Sequence, residues 1–95
     1  GLLIKLINKR LYNNDFILVV IDLNKFKQIN DNYGHNLGDQ VLINVANTIK
    51  ETIRQSDIPI RFGGDEFVII FSNQTQEKIN IIINKLKNKI EKIKI

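Results

Sequence analysis

The stretch Arg61-Phe62-Gly63-Gly64-Asp65-Glu66-Phe67 decides how this chain can fold, because apolar residues lead into it and away from it. Apolar side chains alternate before the stretch, and a β-branched and aromatic run, Phe67 to Phe71, follows it. Adjacent glycines between two such runs are typical of a turn that joins two strands, and we expect positive φ at the glycine pair. The sequence therefore predicts a β-hairpin that presents two carboxylates at its tip.

Length and composition limit the kind of protein. A chain of 95 residues, 43% hydrophobic and 25% charged, is enough for one small domain with a modest core. Cysteine is absent, which excludes disulfides and suits a reducing compartment such as the cytoplasm. The net charge of +4 comes from scattered lysines, so we predict a solvated surface and no nucleic-acid partner. No apolar run is long enough for a membrane span, so we expect no direct membrane contact by this domain, even within a membrane-anchored parent chain.

Hydrophobic spacing before the hairpin predicts helices around one strand. Apolar residues recur at helical spacing from Leu2 to Leu11, which favours an amphipathic helix. The apolar run Phe16 to Ile21 is typical of a central strand buried on both faces by helices, and Asp22 ends it. A short helix is expected over Lys25 to Asn32 and a long one from Gln40. The apolar stripe of the long helix consists of Val41, Leu42, Val45, Ala46, Ile49 and Ile53.

The segment Gly34 to Asp39 interrupts the helical pattern. We expect Asp39 near the N-terminus of the long helix, where the helix dipole favours an anion. His35 is interpreted as a structural hydrogen-bonding residue, because no acid or nucleophile adjoins it. After the hairpin, Ser72 to Gln76 is a polar loop that leads into a last amphipathic helix. Its apolar stripe consists of Ile79, Ile82, Ile83, Leu86, Ile90 and Ile93.

This order of elements predicts an α+β fold in which the first strand lies beside the hairpin. Asp22 and Asp65 then converge at one rim, and paired carboxylates favour a hard divalent cation that bridges to substrate phosphates. The start of the short helix, at Phe26 and Lys27, offers backbone N–H groups to phosphates. These features point to phosphoryl chemistry on a nucleotide. The alternative is that Asp22 or Asn24 simply N-caps the following short helix.

Three motifs together resemble one known family. They are Asp22-Leu23-Asn24-Lys25-Phe26-Lys27-Gln28-Ile29-Asn30-Asp31, then Tyr33-Gly34-His35 with Gly38-Asp39, then the hairpin stretch. In order and spacing they closely resemble the GGDEF domain of diguanylate cyclases. The resemblance implies a fold like that of nucleotidyl cyclases and polymerase palms, with a central antiparallel sheet flanked by helices. Residues 1–95 would form a single, partial GGDEF domain, since the family's domain starts before the first helix and continues past the last.

The resemblance implies condensation of two GTP molecules into cyclic di-GMP, with release of pyrophosphate. Asp22, the Leu23 carbonyl and Asp65 would hold Mg²⁺ (or Mn²⁺). Glu66 would be a further metal ligand or would help to deprotonate the ribose 3′-hydroxyl, so that Asp65 and Glu66 are the catalytic pair. Because each site in the family holds one GTP, the reaction would need a homodimer.

The resemblance also implies substrate contacts. Asn30 and Asp39 would read guanine, whose N1–H and N2–H groups both donate to a carboxylate, whereas adenine would leave that carboxylate unpaired. On local sequence alone, turn and cap roles would be favoured for these two residues, and the match to three motifs reverses that preference. Phe26 and Lys27 would contact the phosphates, and the absence of side chains at Gly63-Gly64 would let the nucleotide approach the backbone.

Arg54-Gln55-Ser56-Asp57 resembles the R-x-x-D inhibitory site that binds cyclic di-GMP in many of these cyclases. Arginine suits bidentate phosphate and guanine contacts. The alternative for Arg54 and Asp57 is a helix-end ion pair. For the whole chain, the alternative function is a non-catalytic module that senses GTP or cyclic di-GMP.

Overall fold

The computed structural model describes residues 4–10, 16–23 and 26–93. Within these residues the elements are β1 (Ile4–Arg10), β2 (Phe16–Leu23), α1 (Phe26–Tyr33), α2 (His35–Thr52), β3 (Ile58–Arg61), β4 (Glu66–Ser72) and α3 (Gln76–Glu91). The strands form an antiparallel sheet in the order β1-β2-β4-β3. None of the helices in this part of the chain is long and apolar enough to cross a membrane. The predicted α+β fold, with the first apolar strand beside the hairpin, is confirmed.

The predicted N-terminal helix is wrong for the part of it that the structure describes. Residues Ile4–Arg10 form β1, which pairs with β2 so that Leu6 lies opposite Ile21. Since β4 occupies one edge of β2, β1 satisfies the backbone groups along the other edge. In so short a segment the apolar residues fit either a helix or a strand, and pairing with a neighbour decides between them. Both ends of the predicted helix lie outside the described residues.

The hydrophobic core lies on one face of the sheet. Along β2 the side chains of Val19 and Ile21 are fully enclosed, while those of Leu18 and Val20, which alternate with them along the strand, are half-buried. The prediction that helices cover both faces of β2 is therefore wrong for the described part of the chain. The predicted helix stripes are confirmed, and the buried helix residues are Phe26, Ile29, Val41, Leu42, Val45, Ile49, Ile79, Ile83, Leu86 and Ile90.

We call the opposite side of the sheet the open face. Its side chains stand in rows across the strands, because the pairing register sets them side by side. The rows are Leu18–Ile70–Ile58, Val20–Val68–Ile60 and Asp22–Glu66. A shallow groove of about 360 Å³ follows the apolar rows. The open face is thus apolar along most of its length and ends in a row of acids.

Helix α2 begins at His35, earlier than predicted, because Gly34 alone separates it from α1. Gly34 has φ 91°, a left-handed value that glycine adopts without strain. The Gly38 N–H donates to the Gly34 carbonyl at 3.2 Å, so helical bonding resumes immediately. Asp39 consequently lies beyond the first turn of α2, and that first turn contains no acidic residue. The predicted position of Asp39 near the N-terminus of the long helix is therefore wrong.

Strands β3 and β4 form the predicted hairpin. Its connection spans residues 62–65 and is closed by the Phe62 N–H, which donates to the Glu66 carbonyl at 2.9 Å. The prediction of positive φ at the glycine pair is wrong: among the described residues, positive φ occurs at Gly34 and Asn73. A connection of this length closes with ordinary φ values, whereas a two-residue turn would require left-handed ones.

Candidate functional site

Carboxylates from distant parts of the chain meet where β2 runs beside the hairpin. Asp22 lies within β2 and pairs across the sheet with Glu66, and the Leu23 N–H donates to the Asp65 carbonyl at 3.0 Å. Leu23 and Asp65 are thus a hydrogen-bonded pair, and Asp22 and Glu66 form the adjacent non-bonded pair, in which side chains approach most closely. The two segments predicted to converge are therefore neighbours in the sheet, with Asp22 opposite Glu66 and Asp65 one residue before it. Like charges directly opposite each other destabilise a strand pair, which favours a cation between them.

The donor atoms at this acidic rim, which we define as Asp22, Leu23, Asp65 and Glu66, suit a hard divalent cation. Carboxylate and main-chain carbonyl oxygens are the protein ligands that Mg²⁺ prefers. Over the described ranges, no three His, Cys, Asp or Glu side chains are grouped so that they could hold an ion by themselves. The rim therefore fits a Mg²⁺ that keeps part of its coordination shell for water or phosphate oxygens, the usual arrangement for this ion.

Helix α1 begins shortly after the acidic rim. The ring of Phe26 is only 6% exposed and belongs to the core, so its backbone N–H in the first helical turn is the group left for a ligand. Lys27 is exposed. The two predicted phosphate contacts therefore differ in kind, one a fixed backbone donor and the other a cation on a flexible stem.

Gly38 provides the packing position of Asn30, one of the two predicted base-reading residues. A Cβ at Gly38 would overlap the side-chain oxygen of Asn30 and lie 3.4 Å from the Phe26 ring. The absence of a side chain at Gly38 therefore lets Asn30 lie against α2, one residue before Asp39. Sequence reasoning gave Gly38 no role of its own, although a glycine inside a helix costs about 1 kcal/mol relative to alanine and so signals a packing reason.

A groove separates α2 from the hairpin. It has a volume of about 410 Å³ and is lined by Asp39, Leu42, Ile43, Ala46, Arg61 and Phe67. Its walls are mostly apolar, with the exposed carboxylate of Asp39 and the guanidinium of Arg61 as polar groups. An apolar cleft with few polar groups is the usual form of a small-molecule site. We call it the base groove.

Two glycines and an arginine shape the hairpin tip. The Arg61 Nε–H donates to the Gly63 carbonyl at 3.2 Å, and its Nη2–H donates to the Gly64 carbonyl at 3.1 Å. A Cβ on Gly63 would lie in ordinary contact with Glu66, at 3.6 Å, and a Cβ on Gly64 would meet no neighbour within 4 Å. Neither φ nor packing of the described chain requires glycine here. Sequence reasoning also assigned no role to Arg61. The feature that could have indicated one is an arginine, which carries several N–H donors, two residues before a pair of flexible glycines.

Arg54 and Asp57 are bonded to each other. The Arg54 Nη2–H donates to Asp57 Oδ1 at 2.8 Å, while its Nε–H and backbone N–H donate to Oδ2 at 3.2 and 2.9 Å. Asp57 is only 4% exposed, and the guanidinium also donates to the Ser72 carbonyl. The hydrogen bonds that the Arg54 side chain donates to Asp57 raise the pKa of Arg54. The alternative drawn from the sequence, an ion pair at the end of a helix, therefore describes the contact between Arg54 and Asp57 in this structure. A pocket of about 380 Å³ adjoins it, lined by Arg54, Asn73, Gln74, Thr75, Lys78, Ile81 and Ile82.

Comparison with known proteins identifies the family. Residues 2–95 match the family model described as diguanylate cyclase, GGDEF domain. Diguanylate cyclase DosC of Escherichia coli (strain K12) is 36% identical over 78 residues, which cover 82% of this chain and 17% of that protein. Probable diguanylate cyclase DgcC of the same strain is 43% identical over 70 residues, covering 74% of this chain and 19% of that protein. The GGDEF domain of DgcB from Caulobacter crescentus, solved in complex with c-di-GMP, has a TM-score of 0.72 and 32% identity, covering 75% of this chain and 42% of that one.

An antiparallel sheet with helices on one face and an acidic rim beside a cleft defines an α+β domain of the diguanylate cyclase type. The chain belongs to the GGDEF family. It spans less than a fifth of the length of the two curated relatives.

Proposed function

We propose that this domain, within its full-length parent chain, is a diguanylate cyclase that condenses two GTP molecules into cyclic di-GMP and releases pyrophosphate. The observation that carries the proposal is the pairing of Asp22 with Glu66 at one end of the sheet, with Asp65 adjacent in the chain, on a hairpin that also lines a groove together with Asp39. An acidic rim beside an apolar cleft suits a nucleoside triphosphate that binds together with a divalent cation.

We assign Asp22, the Leu23 carbonyl and Asp65 to Mg²⁺ (or Mn²⁺). Glu66 is a further ligand or the group that takes the proton of the ribose 3′-hydroxyl. Bound Mg²⁺ supplies neutralisation of the triphosphate charge and a lower pKa for the attacking hydroxyl. The contribution of the chain is to hold Asp22 and Glu66 on two adjacent strands, so that the sheet sets their spacing, while Asp65 is the last residue of the hairpin connection.

The base groove supports guanine as the base. Asp39 accepts two hydrogen bonds from the N1–H and N2–H edge of guanine, and Asn30, held against Gly38, offers both an acceptor and donors. Leu42 supplies an apolar wall for the ring. ATP would leave the Asp39 carboxylate without donors, a mismatch that discriminates strongly.

The phosphates are assigned to the start of α1 and to the hairpin tip. The first-turn N–H of Phe26 lies at the positive end of the helix dipole, and Lys27 adds a cation. The open space around Gly64 supports a close approach of the nucleotide to the tip backbone, because the described chain does not fill that space itself.

Two further proposals concern the assembly of the domain and its regulation, and the first follows from one GTP per site. The reaction takes place in a homodimer, in which two domains face each other and each contributes one nucleotide. Cyclic di-GMP, which is bound to the GGDEF domain of DgcB, inhibits by binding at Arg54 and Asp57 and in the adjoining pocket, where Lys78 adds positive charge.

The test is incubation of the full-length parent with GTP and Mg²⁺, following both pyrophosphate and cyclic di-GMP. Asp65→Ala is expected to reduce product to background, while Glu77→Ala, which removes an exposed acid of α3, leaves it unchanged. Added cyclic di-GMP should slow the wild-type reaction. GTP binding without any product would instead support a nucleotide-sensing module, and absence of binding would exclude both functions.

A further inference from the structure

Arg61 makes contacts that none of the roles above uses. It is the last residue of β3 and is exposed, yet its guanidinium donates to two successive carbonyls, Gly63 at 3.2 Å and Gly64 at 3.1 Å. The planar guanidinium presents donors in a fixed fork, whereas a lysine ammonium is a point charge on a flexible stem. One arginine can therefore hold two consecutive peptide units in a defined orientation.

The hairpin tip is a segment that depends on such support. Glycine has the greatest backbone freedom of any residue, and two glycines stand in sequence here. The backbone bonds that close the tip come from the N–H groups of Phe62 and Gly63 and both end on the Glu66 carbonyl, at 2.9 and 3.4 Å. Because Asp65 follows directly, the placement of its carboxylate depends on how Gly64 is held.

Arg61 also lines the base groove. Phe67, its pairing partner on β4, is another lining residue of that groove. Arg61 takes part in none of the side-chain ion pairs found among the described residues. Its polar partners in that part of the chain are the carbonyls of Gly63 and Gly64. Arg61 thus connects the base groove with the tip that carries half of the acidic rim.

We infer that Arg61 is a positioning residue: its two bonds to the tip carbonyls hold Asp65 and Glu66 in the arrangement that turnover requires. The kinetic part of this inference rests on the proposed function, while the ordering of the tip does not. The effect should be visible without nucleotide, since the two bonds exist in the free chain.

The first test is amide hydrogen exchange across residues 62–66 in the nucleotide-free parent chain. Because Arg61→Ala removes both bonds, it should accelerate exchange at the tip roughly tenfold or more. Arg61→Lys, which keeps the charge but loses the fork, should fall between the alanine variant and wild type. Lys50→Ala, which removes another exposed cation from α2, is the control and should leave tip exchange unchanged. Unchanged exchange in Arg61→Ala, or complete rescue by lysine, would overturn the inference.

The second test is steady-state kinetics of the same variants. Loss of positioning should lower kcat roughly tenfold with the KM for GTP nearly unchanged, the pattern of an interaction needed in the transition state. A raised KM with unchanged kcat and unchanged tip exchange would show direct nucleotide contact instead, and would refute positioning. If wild type forms no product, the proposed function fails, and the exchange comparison still decides whether Arg61 orders the tip.

Discussion

Glycine serves two opposite purposes in this domain. At Gly38 the packing of the chain favours it, because a Cβ would overlap the side chain of Asn30. At Gly64 the described chain leaves the space around the residue empty and φ is not left-handed. The first glycine is therefore a packing residue, and the second has a purpose only if a ligand approaches it.

Replacement of these glycines should separate stability from activity. Gly64→Ala is expected to keep or slightly raise the free energy of unfolding, by up to about 1 kcal/mol through the unfolded state, and to lose most turnover. Gly38→Ala gains helix propensity of about 1 kcal/mol but incurs overpacking of about 1–3 kcal/mol, so it should be neutral to destabilising and should weaken GTP binding through Asn30. Thermal denaturation and GTP titration of the two variants make the comparison. A Gly64→Ala protein with wild-type turnover would contradict the assigned role.

At the residue scale the acids were predictable from sequence, and their supporting residues were not. Asp22 follows a buried run and Asp65 occupies a turn, so placing the two strands side by side was enough to bring them together. Gly38 and Arg61 act through contacts with Asn30 and with tip carbonyls. Such contacts depend on the angle between helices and on the shape of a loop, which hydrophobic spacing does not specify.

At the scale of a single strand, β4 offers a matched pair of isoleucines. Ile69 points into the core and is fully buried, whereas Ile70 is half-buried on the open face. Ile69→Ala should cost about 2–5 kcal/mol of unfolding free energy, because it leaves a cavity among helix side chains. Ile70→Ala removes the same atoms from a partly solvated surface and should cost clearly less. Urea denaturation distinguishes the two, and equal losses would mean that the open face is covered as tightly as the core.

Most elements followed from hydrophobic spacing, and the errors have a common origin. The apolar run at Phe16, the hairpin, and the stripes of α2 and α3 are long or strongly patterned, and the structure has them as predicted. The segment Ile4–Arg10 and the start of α2 are short stretches whose state is set by neighbours: a free strand edge in the first case and a single left-handed glycine in the second. Local pattern is weakest where tertiary contacts make the choice.

At the scale of the whole molecule, the proposed site holds one GTP, so the proposed turnover depends on an encounter between two domains. Diluting the parent chain below its dimer dissociation constant should therefore reduce cyclic di-GMP formed per domain, with the rate falling as the square of concentration. The measurement is initial rate against protein concentration at saturating GTP. A rate that stays proportional to concentration throughout an accessible dilution series, while light scattering shows monomers, would contradict the dimer proposal.

The pairing of β2 with β4 determines when the domain acquires its acidic rim during folding. These two strands are neighbours in the sheet although α1, α2 and β3 lie between them in the chain. Closing so long a loop lowers the conformational entropy of the chain before the strands make any stabilising contact. Pairing between distant strands is therefore slow to form. Asp22 and Glu66 become neighbours through this ladder. Under the proposed function, affinity for a cation and its nucleotide therefore arises only once β2 and β4 have paired, and a nascent or partly unfolded chain would not sequester GTP at this site.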